Sequence, residues 1–191
     1  MTLFEFLMMI AAVVVAVGMT EIVGGWGRLM RTRAAVEPHW LHLGWTIAIL
    51  VMLIGHWVGM WSYNDLAIEN VGQIMALVVP SIFCVLAAYA ITPDVPLTGT
   101  LDMREYYMAK RAPIFLPLTA FLVATNVSDV VIAGADKVEF RLGMLAGPAS
   151  LMSLAITKRI WVHGVVLGAL SLIIIVFMSI GVGQIGLRFD G

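Results

Sequence analysis

The chain has 191 residues, 61% of them apolar and only 12% charged, with a mean hydropathy of +1.00. Soluble domains carry about 25% charged residues, and a fold this small keeps much of its surface in water, so the composition excludes an ordinary soluble domain and calls for a bilayer. The formal net charge of −1 gives nucleic acid no basic face to bind, and Cys84, the single cysteine, has no intrachain disulfide partner.

A spanning helix needs roughly 20 apolar residues, and the first candidate covers about 4–26. Its start, MTLFEFLMMIAAVVVAVGM, lacks a basic leader and an A-x-A-like cleavage site, so it reads as a retained span rather than a signal peptide. A basic loop with Arg28, Arg31 and Arg33 follows, and the second span covers 39–61, bracketed by Trp40 and Trp61 about one bilayer thickness apart. The third span is expected at 71–92. The loop 93–111 opens with Pro93, Pro96 and a turn at Thr98-Gly99-Thr100. Its LDMREYYMAKR segment reads as a short interfacial helix, with a soluble-partner dock as the alternative. The fourth span is expected at 112–135 and the last at 161–184. Between them, 142–157 is uncharged but only about 24 Å long if helical, and Gly147-Pro148 interrupts it. It is a short, broken span or a re-entrant segment.

Lysine and arginine are retained on the cytoplasmic side, so their distribution arbitrates. Six spans split them 8 to 3, whereas a re-entrant 142–157 gives 7 to 4. The expected fold is therefore a single all-α domain over 1–191, a bundle of about six transmembrane helices with the fifth short and Gly-Pro interrupted. Both termini face the periplasmic or extracellular side. Trp26, Trp40 and Trp161 then fall near the inner interface, and Trp57 and Trp61 near the outer one.

The segments GRLMRTR, EPHWLHLGW, DMREYYMAKR and TKRIWVH, taken together, resemble those of uncharacterised multi-span bacterial inner-membrane proteins. The resemblance covers most of the chain. It implies the topology and carries no activity with it.

Ionisable groups inside a bilayer cost roughly 2.5–3.5 kcal/mol each, so each needs a partner. His56 lies 17 residues beyond His39, and Asp129 lies 17 beyond Ala112, so equal starting planes put them at equal depth. Thr119, Asn126 and Asp129 share one helical face, as do His42, Thr46 and His56. A polar seam of His56, Thr119, Asn126 and Asp129, with a His56–Asp129 pair, is the expectation. It serves either as a hydrogen-bonded strut or as a proton relay.

A second cluster, Glu21, His42 and His163, lies near the inner face. Two histidines and a carboxylate resemble a metal ligand set, but they come from three helices without local ligand spacing, so no metal or other cofactor is expected. Pairing of Glu21 with Arg28, two turns on, is the simpler reading. A single haem between His42 and His163 is the remaining alternative. Pro80, Pro117 and Pro148 read as kinks, and Gly164-x-x-x-Gly168 as a close-packing face.

Permeation of an ion, proton or small solute along the seam is the leading expectation. The alternative is a non-enzymatic membrane subunit or sensor that assembles with a membrane partner or a second copy, and a haem protein comes third. The lipid bilayer is the one partner that all three require.

Overall fold

In a computed structural model, residues 2–32, 35–64, 66, 68–94, 99–134 and 142–189 are described, with no account of the side chains at 133, 142–143 and 177–189. Arg33, Pro96, Thr98, Lys137 and Arg141 lie outside the described residues. The described chain divides into two compact units, Met1–Lys158 and Arg159–Gly191. It is helical apart from two three-residue strands.

The first unit is built from α1 (Leu3–Arg31), β1 (Ala35–Glu37), α2 (Trp40–Gly59) with a 3-10 turn at Met60–Tyr63, α3 (Val71–Ile91), β2 (Thr100–Asp102), α4 (Met103–Ala109), α5 (Arg111–Ala133) and α6 (Leu142–Ile156). The second unit is α7 (Ile160–Phe189). Among the described residues, four helices are long and apolar enough to cross a membrane: α1, α2 with its 3-10 turn, α3 and α5.

Helix starts follow their capping residues. Thr2 and Glu5 form a capping box on α1, with Thr2 N–H donating to Glu5 Oε2 at 2.8 Å and Glu5 N–H to Thr2 Oγ1 at 3.1 Å. Asn70 and Gln73 do the same for α3, and Asp102 accepts from the N–H groups of Arg104 and Glu105 to start α4.

Two expectations change. α1 does not end near residue 26 but continues to Arg31, so Arg28 and Arg31 occupy its last turn, where cations suit the helix dipole. Its glycines are there for close packing: a Cβ on Gly25 would lie 2.4 Å from Thr92 Cγ2, and one on Gly18 would lie 3.0 Å from Leu53 and Val85 methyls. α6 is 15 residues long, and the helix continues through Gly147-Pro148, where an interruption was expected.

α3 sits at the centre of the first unit, packed against α1, α2 and α5, and α5 packs in turn against α6. At one end β1 and β2 pair in parallel, Val36 opposite Leu101. This ribbon ties the segment after α1 to the segment after α3, so both lie at the same end of the bundle. Arg28, Arg31, Arg104, Lys110 and Arg111 are at that end, and α6 runs back along α5 toward it, bringing Lys158 with it. Among the described residues of this unit, no lysine or arginine lies at the other end. There the apolar core is Phe4, Leu7, Met8, Ala11, Met60, Leu77 and Ile132.

Candidate functional site

The polar residues of the bundle converge on α5, and their partners follow from the prolines around it. A proline inside a helix has no N–H for the carbonyl four residues back. Pro148 in α6 thereby frees the Met144 carbonyl, and Pro80 in α3 frees that of Ala76. Both meet donors from α5: Asn126 Nδ2 donates to Met144 O at 2.7 Å, and Ser128 Oγ to Ala76 O at 2.5 Å. Ser128 Oγ also lies 2.7 Å from Ala124 O, one turn back on its own helix, so its single proton serves two carbonyls. Thr119 Oγ1 donates to Phe115 O at 2.8 Å within α5.

Asp129 is engaged differently from the expectation. Its Oδ1 accepts the Tyr63 hydroxyl, which the 3-10 turn after α2 presents to the last part of α5. His56 instead packs edge-on against Phe121, ring centroids 5.3 Å apart at 83°, and its buried Nε2 has no hydrogen-bond partner. The His56–Asp129 pair is thus not formed. Phe121 precedes Asp129 by eight residues, about 12 Å of helix, so His56 and Asp129 do not lie at one depth. The structure brings Asn126, Ser128 and Asp129 into one set of struts and leaves His56 outside it.

At the ribbon end the same logic applies to helix termini. The last carbonyls of α3 lack intrahelical donors. His42 Nε2 lies 2.8 Å from Ile91 O, and because a carbonyl only accepts, that nitrogen carries the proton. Tyr106 from α4 donates between Ala90 O at 2.9 Å and Thr92 O at 3.1 Å, and Thr92 Oγ1 donates to Ala88 O at 2.8 Å. Burial, then the Asp94 carboxylate, pushes the Tyr106 phenol up to about 12. His42 and Tyr106 also meet edge to face at 6.1 Å, so the short helix in the long loop is held by the end of α3.

Glu21 pairs with Arg28 at 2.5 Å, as its spacing implied. His42 is spent on Ile91, and His163 lies in the first turn of α7, in the second unit. Among the described residues no three His, Cys, Asp or Glu side chains gather as metal ligands. Tyr63 was not singled out by sequence, Tyr106 was read as lying on the membrane surface, and Ser128 was not read as a hydrogen-bond donor between helices. Pro80 was the available signal for Ser128: Ala76 lies five residues into α3 and Ser128 five before the end of α5, at matching depth.

No protein-family profile matches the chain, and neither characterised proteins nor solved structures gave a match.

Proposed function

We propose that the chain is a non-enzymatic subunit of a bacterial inner membrane, crossing it six times with both termini outside, and that its role is assembly with another membrane chain. One observation carries this reading. Along α5, where a permeation path needs polar groups free to meet a solute, Asn126 and Ser128 are bound to carbonyls freed by prolines and Asp129 to Tyr63. Polar groups used in this way hold helices together.

Six spans are supported by α6 returning along α5 to the ribbon end and by the 30-residue length of α7. Clustering of Arg28, Arg31, Arg104, Lys110, Arg111 and Lys158 at that end favours a cytoplasmic side there. Assembly is supported by Gly55 and Gly59 on α2: a Cβ on either would meet nothing within 4 Å, which leaves room for a close helix approach.

The test is cysteine chemistry in native membranes. Cysteines at Thr32 and Asn64 should label from opposite sides with an impermeant reagent, and, the partner chain being a second copy, Gly55→Cys should form an oxidative disulfide with the same cysteine of that copy. Gly59→Leu should suppress that cross-link. Same-side labelling would remove the topology, and a chain that stays uncross-linked at every expression level would remove the assembly role.

A further inference from the structure

We draw no further inference here: the strongest candidate, the apolar groove beside the β1–β2 ribbon walled by Trp26, Met30, Val36, Leu43 and Met103, carries nothing because nothing in the structure shows what covers it.

Discussion

If Asn126 exists to serve the carbonyl that Pro148 frees, its value should vanish when the proline does. Asn126→Leu in the parent chain leaves Met144 O without its 2.7 Å donor. Interhelical hydrogen bonds in membranes average about 0.6 kcal/mol and reach about 1.7, and the carbonyl here has no intrahelical substitute, so a cost of about 1–1.5 kcal/mol is expected. Pro148→Ala restores an N–H four residues after Met144, which then closes its own helical bond. In that background Asn126→Leu should cost only the difference in packing, giving a coupling of about 1 kcal/mol, roughly a five-fold change in the unfolding equilibrium. Reversible unfolding in bicelles by steric trapping, on the parent, both single variants and the double variant, measures it. Additivity within about 0.3 kcal/mol would refute the reasoning.

Gly25→Ala places a methyl 2.4 Å from Thr92 Cγ2 and should destabilise by about 1–3 kcal/mol, whereas Gly24→Ala meets only the flexible end of Arg28 and should be neutral or stabilising by up to about 1 kcal/mol in the same assay. Asp129→Leu strands the Tyr63 hydroxyl and should cost about 1–3 kcal/mol, while His56→Leu, which removes an unpartnered nitrogen, should stay within about 0.5 kcal/mol of the parent. The reverse order would restore His56 to the strut set. Tyr106 has its folded pKa raised to about 12 from an ordinary 10, so its stabilising contribution is complete below pH 10 and is lost as pH rises toward 12. Alkaline unfolding followed by far-ultraviolet circular dichroism should therefore show a loss over that window that Tyr106→Phe reduces without abolishing, since burial raises the Tyr107 phenol as well.

Much of the fold was legible because apolar runs at bilayer length have few alternatives: the expected span at 71–92 and α3 at Val71–Ile91 differ by one residue. The end of α1 was not legible, because Gly24, Gly25 and Gly27 beside three arginines have the composition of a loop. The close approach of Thr92 explains why position 25 is a glycine, which sequence alone reads as a helix breaker. Three-residue strands have too short a period to be read, so the β1–β2 ribbon was invisible. At the site, sequence singled out Asn126 and Asp129 as polar residues needing partners but chose the partner of Asp129 by depth alone. Depth counted from helix starts fails when two helices begin at different levels, and here it missed by about two turns. Each proline names the carbonyl that it frees, but finding the donor, as in matching Ala76 with Ser128, still takes depth counted from helix ends.

The central claim is that α5's polar residues hold the bundle and do not conduct. Its most direct test is proton flux into liposomes containing the purified chain and a trapped pH-sensitive dye, after an external pH jump. The account predicts a dye response no faster than in protein-free liposomes, for the parent and for Asp129→Asn alike. A fast response from the parent that Asp129→Asn returns to the protein-free rate would contradict it.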